Sequence, residues 1–152
     1  MKKLALVLLL TAACRTTTVR PAPPPSAASG GGTGADAPRA AADAFLRAVQ
    51  NEDLQALGSV WGTADGAARD LMPRIDMERR AIVMMRCFRH DSYRVQSDSP
   101  TAGGGRLLSV ELARGNERRV SNFTVVPGKE RRWYVQNAQV ETLQEWCGMG
   151  SR

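Results

Sequence analysis

Apolar positions in the first half of the chain recur at helical spacing, and after "HDSYRVQSDS" near residue 90 they recur at spacing two. In "DAPRAAADAFLRAVQNEDLQALGSVWG", Ala42, Phe45, Leu46 and Val49 fall on one helical face, with Asp36 placed to cap the helix and Pro38 suited to its first turn. "NED" interrupts that pattern, and Asp53 can start a second short helix with Leu54, Leu57, Val60 and Trp61 inward, ended by Gly62 and "TADG". A third helical region runs from about Ala67 through "MPRIDMERRAIVMMRCF". It breaks near Pro73, whose ring excludes the α conformation from the residue before it. Met77, Ala81, Met84, Met85 and Phe88 share its predicted buried face; methionines at this spacing form core, although soft thioethers also line adaptable pockets.

In the second half, Tyr93 and Val95, then Leu108, Val110 and Leu112, then Phe123 and Val125 alternate with polar residues, which is the pattern of half-buried strands. "TAGGG", Gly115–Asn116 and "PGKE" supply the turns. The predicted meander is about Ser92 to Ser97, Arg106 to Ala113, Arg118 to Val126 and Arg131 to Val140. A last short helical segment, "ETLQEWCG", brings Trp146 and Cys147 back onto the domain. Helices followed by an antiparallel meander make an α+β order, and residues 37–149 suffice for one hydrophobic core and one domain.

The N-terminal stretch has a different pattern. Lys2 and Lys3 precede an apolar run from Leu4 to Ala13, which as a helix covers only about 15 Å of a roughly 30 Å hydrocarbon core. Residues 1–13 therefore read as a signal peptide and not as a durable span. "LLTAAC" resembles the bacterial lipobox, whose cysteine receives a fatty-acylated diacylglycerol, palmitate being the usual kind of acyl chain, before cleavage makes it the new N-terminus. The resemblance implies that Cys14 is the lipidation site and that the chain faces the periplasm on a lipid anchor. Arg15 after the cysteine implies the outer membrane in preference to the inner. An ordinary secretory peptide is the alternative, and both readings export the domain. From Cys14 to Asp36, "PAPPP" and "GGGTG" form a Pro/Gly-rich linker without apolar residues enough for a core. "GGGTG" lacks the preceding strand and following Gly-Lys-Ser/Thr of a phosphate-binding loop.

Charge and cysteines narrow the partners. Loss of Lys2 and Lys3 on processing lowers the formal charge from +6 to +4, a mild basic excess. Outside the cytoplasm the available polyanions are phospholipid head groups and other envelope phosphates. The basic clusters "ARGNERR" and "GKERRW" belong to successive turns of the meander, hence to opposite ends of the sheet, and make no nucleic-acid patch. Three cysteines are an odd number, which lipidation of Cys14 turns into a pair. Cys87 and Cys147 then form a disulfide suited to an oxidising compartment, or else stand as two separate buried thiols.

The element order resembles the nuclear transport factor 2-like, or cystatin-like, superfamily, and the combination of lipobox, linker and "AADAFLRAVQNEDLQAL" looks like small bacterial lipoproteins of that superfamily. The resemblance implies a helix packed into a curved four-stranded sheet around a conical cavity. Trp61, Met84, Met85, Tyr93, Leu108, Val110, Phe123 and Trp133 are the residues that would line it. The superfamily contains isomerases and dehydratases with an Asp or His base, and also noncatalytic binding and assembly modules.

Two residues are candidates for chemistry. His90 is the single histidine, in "CFRHD", and Glu111 is the one carboxylate placed mid-strand. With Cys87 committed to Cys147, that segment is short of ligands for zinc, and neither a metal nor a cofactor is expected. No Gly-x-Ser-x-Gly elbow occurs. The expectation is a noncatalytic binding or assembly module holding an apolar ligand or an envelope protein in its cone or on its sheet. The alternative is a small isomerase- or hydrolase-like enzyme using His90 or Glu111.

Overall fold

The computed structural model describes residues 32–148. The signal segment, Cys14 and most of the linker lie outside the described residues. The first helix, α1 (Pro38–Gln50), turns six of its residues inward, among them Phe45, Leu46 and Val49. Its N-cap is Ala37, which gives no side-chain cap. Asp36, expected to cap it, pairs instead with Arg132, whose guanidinium also donates to the carbonyls of Thr33 (2.9 Å) and Gly34 (2.6 Å). A long-range cation has outcompeted the local cap. At the other end the N–H of Asp53 reaches Ala48 O and that of Glu52 reaches Val49 O, with Glu52 at φ +53°. This is the reversal that usually employs glycine. Asp53 Oδ1 then accepts from the N–H groups of Gln55 and Ala56 and starts α2 (Leu54–Val60) as the pattern predicts.

Where the pattern ended α2, a two-residue hairpin intervenes, β1 (Gly62–Thr63) with β2 (Gly66–Ala67). The third helical region divides at Pro73 as expected, into α3 (Ala68–Leu71) and α4 (Arg74–Cys87). Gly58 lets α4 approach α2 closely, since a Cβ there would lie 2.9 Å from Met77 Sδ. Of the face expected to be buried, Met77, Ala81 and Phe88 are, while Met84 and Met85 remain half-buried.

The sheet is an antiparallel meander of β3 (Ser92–Pro100), β4 (Arg106–Arg114), β5 (Glu117–Pro127) and β6 (Trp133–Ala138), in that spatial order. The turn at Gly115 uses φ +56°, which glycine adopts without strain. Irregularities at Val95/Ser97 and Thr124/Val125 shift the register, as bulges do where a sheet bends. Leu108, Val110 and Leu112 of β4 and Ser121, Phe123 and Val125 of β5 face the helices. The centre of the core is a ring triad in which Phe45, Phe88 and Phe123 meet edge-to-face with centroids 5.4 to 5.6 Å apart. A 3₁₀ turn at Glu141–Leu143 leads the chain back, burying Leu143, Trp146 and Cys147. Residues Gly31–Arg152 make one compact unit. The core residues and both bridged cysteines lie inside it, so this unit meets the requirements for folding by itself.

Candidate functional site

The Sγ atoms of Cys87 and Cys147 are at bonding distance, 60 residues apart in sequence. The bridge ties the end of α4 to the C-terminal turn and removes Cys87 from "CFRHD" as a ligand. Asp91 is also engaged, its carboxylate accepting from the N–H of Gly115 at 2.7 Å.

His90 lies between α4 and β3 and is almost wholly buried, with Nδ1 2.7 Å from Phe88 O. A carbonyl only accepts, so Nδ1 carries the proton and Nε2 is left as a bare acceptor. Nε2 is buried and has no hydrogen-bond partner among the described residues. Burial holds the imidazole below its usual pKa, outweighing the bond to Phe88 O and the nearby Asp91 carboxylate. The ring meets Tyr93 edge-on at 5.5 Å. Tyr93 in turn donates to Asp43 Oδ1 at 2.9 Å, joining β3 to α1. Burial and that carboxylate push the phenol up to about 12, so it remains a neutral donor throughout the physiological range. Asp43 was missed by the sequence reading. Its signal was an acid beside the buried stripe in "AADAF", whose partner lies 50 residues away.

Glu111 stands on the opposite side of the sheet from the ring triad. Its carboxylate accepts from Arg94 (3.2 Å) and from the Gln96 amide (3.0 Å). A shallow open depression of about 210 Å³ there is lined by Ser92, Tyr93, Arg94, Glu111, Ala113 and Arg118. His90 does not border it, so the two candidate groups do not converge on one reacting position.

The residues expected around a cone separate into two sets. Leu108, Val110 and Phe123 have zero exposure and belong to the packed core, where the phenylalanine rings occupy the space between helices and sheet. Trp61, Met84, Met85, Tyr93 and Trp133 are partly buried around its margin. Trp61 bridges to Val135 of β6, and Trp133, the first residue of β6, bridges to Ala35. Trp146, at the far end, carries the Arg114 guanidinium over its ring at 5.4 Å and donates to the Glu117 carboxylate. These indoles serve the packing of the chain ends.

The helix layer also has an outward surface that the sequence reading did not single out. Ile75 and Ile82 of α4 are each 56 % exposed and Val83 is 47 % exposed. Arg79, Arg80 and Arg86 lie exposed among them. Comparison with protein families, with curated proteins and with solved structures finds no match to this chain.

Proposed function

We propose that this chain is an exported, lipid-anchored, noncatalytic binding or assembly module of the bacterial envelope, carrying a nuclear transport factor 2-like domain that meets its partner through its surface. The observation that carries the noncatalytic reading is the placement of the two candidate groups. His90 Nε2 is sealed from solvent and Glu111 is held by Arg94 and Gln96 on the other face of the sheet. General acid–base work requires both groups within about 3 Å of the reacting atoms, directly or through one water. The filled core favours a surface contact over a cone-bound ligand, because Leu108, Val110 and Phe123 present no accessible surface. Export is supported by the Cys87–Cys147 bridge, since structural disulfides persist in oxidising compartments.

Anchoring is tested by Cys14→Ala, expected to abolish lipidation and shift the protein from the membrane fraction to soluble or uncleaved forms. Unchanged membrane mass, with an intact full-length N-terminus in the native protein, would refute it. Noncatalysis is tested by His90→Ala and Glu111→Gln, expected to leave partner capture intact. A turnover lost in His90→Ala at unchanged fold would establish the isomerase- or hydrolase-like alternative.

A further inference from the structure

Helix α4 is oriented against its own composition. Met77 and Ala81 face the core. Positions 75, 79, 82 and 86, spaced four, three and four, form one line along the side facing away from it. That line reads Ile75, Arg79, Ile82, Arg86, with Val83 beside it, and all five residues are exposed. Isoleucines turned outward on a helix that has an inward face available are not accounted for by folding. The charge around them is mostly cationic, Asp76 in the first turn of α4 being the one carboxylate of that helix without an ion pair among the described residues. Glu78 is taken by Arg74 at 2.6 Å, and Arg89 is paired with Glu52 at 3.4 Å. Among the described residues, Arg79, Arg80 and Arg86 have no carboxylate within salt-bridge distance.

We propose that the outward face of α4 rests on an anionic phospholipid bilayer, with Ile75 and Ile82 entering the boundary between head groups and acyl chains and Arg79 and Arg86 meeting lipid phosphates. Apolar anchors interleaved with free guanidinium groups are the chemistry of an interfacial helix. A second copy of the chain is a poorer occupant, because a two-fold contact through this narrow stripe gathers the unpaired arginines of both copies into one interface. The chain end agrees with the bilayer. The described chain starts where α2 meets β6: the N–H of Gly34 donates to Ser59 O of α2, and Ala35 pairs with Trp133 of β6. The 18 residues from Arg15 to Gly32 reach at most about 60 Å, which keeps the domain within touching distance of the leaflet that holds Cys14. A weak contact suffices for a domain already held there. The proposal rests on the anchored reading and gives the module's surface a defined partner.

The test uses the compact unit, residues 31–152, which contains neither Cys14 nor the signal segment, so its result is independent of lipidation. It is sedimented with vesicles of mixed phosphatidylglycerol and phosphatidylcholine and with vesicles of phosphatidylcholine alone. Uptake by the mixed vesicles, weakening with salt, is expected. Arg79→Glu with Arg86→Glu, and separately Ile75→Ser with Ile82→Ser, should each lower partitioning by at least about tenfold at unchanged circular dichroism. Absent uptake, or uptake indifferent to both double variants, overturns the proposal while leaving the Cys14→Ala result to stand by itself. A concentration-dependent dimer that dissolves in the isoleucine variant, without vesicle uptake, overturns it in favour of a second copy.

Discussion

Helices α1 and α4 differ by one residue in length, thirteen against fourteen, yet α1 buries six residues and α4 three. In α1 the apolar residues follow the helical period onto one face, and the core takes them. In α4 Ile75, Ile82 and Val83 lie outside the face that Met77, Ala81 and Cys87 turn inward. Two helices of one domain thus use the same residue types for different ends. Apolar content alone says a residue is adhesive, and the period says to which side.

The contrast is broken most severely at Phe45. It touches both other rings of the triad, so Phe45→Ala leaves a cavity that Phe88 and Phe123 cannot close. The expected cost is between about 3 and 5 kcal/mol, near the top of that range, read from the urea midpoint. A cost under about 1 kcal/mol would mean that the core is not organised around the rings. Next is the bridge that holds the end of α4. Cys147→Ser opens a 60-residue loop and is expected to cost about 4 kcal/mol in the chain-entropy model. Non-reducing peptide mapping checks the bridge itself, and two freely alkylated thiols in the oxidised protein would remove it.

Much of the fold, though not the outward face of α4, was legible in the sequence. The α+β order, the breaks at "NED" and Pro73, the Asp53 cap and the four strands all follow from local chemistry that neighbouring residues determine together. What local rules could not supply was a partner distant in sequence. Asp36 has the character of a cap, but Arg132 lies 96 residues on and wins it. The β1–β2 hairpin is too short to carry a period, and β6 is shorter at both ends than the alternation suggested. The site was less legible than the fold. His90 and Glu111 were identified by residue type, while their separation by the sheet is a fact of topology.

The two helices also end differently. After α4 comes His90, buried with a bare Nε2, whose pKa is held below its unfolded value of about 6.5. The unfolded chain therefore binds a proton that the native state resists. The resulting stability is fully present above pH about 6.5 and is lost as pH falls from there toward the depressed native pKa. The unfolding free energy from urea titration should decline across that window by up to about 1.4 kcal/mol per pH unit. The decline should flatten in His90→Phe; an equal slope in both proteins would assign it to the carboxylates.

After α1 comes Glu52 in a left-handed conformation, and Glu52→Gly should relieve about 1 kcal/mol of backbone cost. The Arg89 pair it forfeits is exposed on both sides and contributes little. A lower midpoint in the glycine variant would show that this pair matters more than the reversal.

The smallest effect is also the sharpest form of the comparison. Ile82→Ser removes a large apolar side chain from the middle of a helix, and in α1 such a change would be ruinous. At 56 % exposure Ile82 keeps much of its surface in water in the native state, so little burial is forfeited. Serine and isoleucine have similar helix propensities, so that contribution is near zero. The unfolding free energy should therefore move by no more than about 0.5 kcal/mol. A loss of about 2 kcal/mol or more would mean that Ile82 is part of the fold and would withdraw the ground for assigning it an outside partner. A midpoint that holds, together with vesicle uptake that falls, separates the two uses of apolar residues within one small domain.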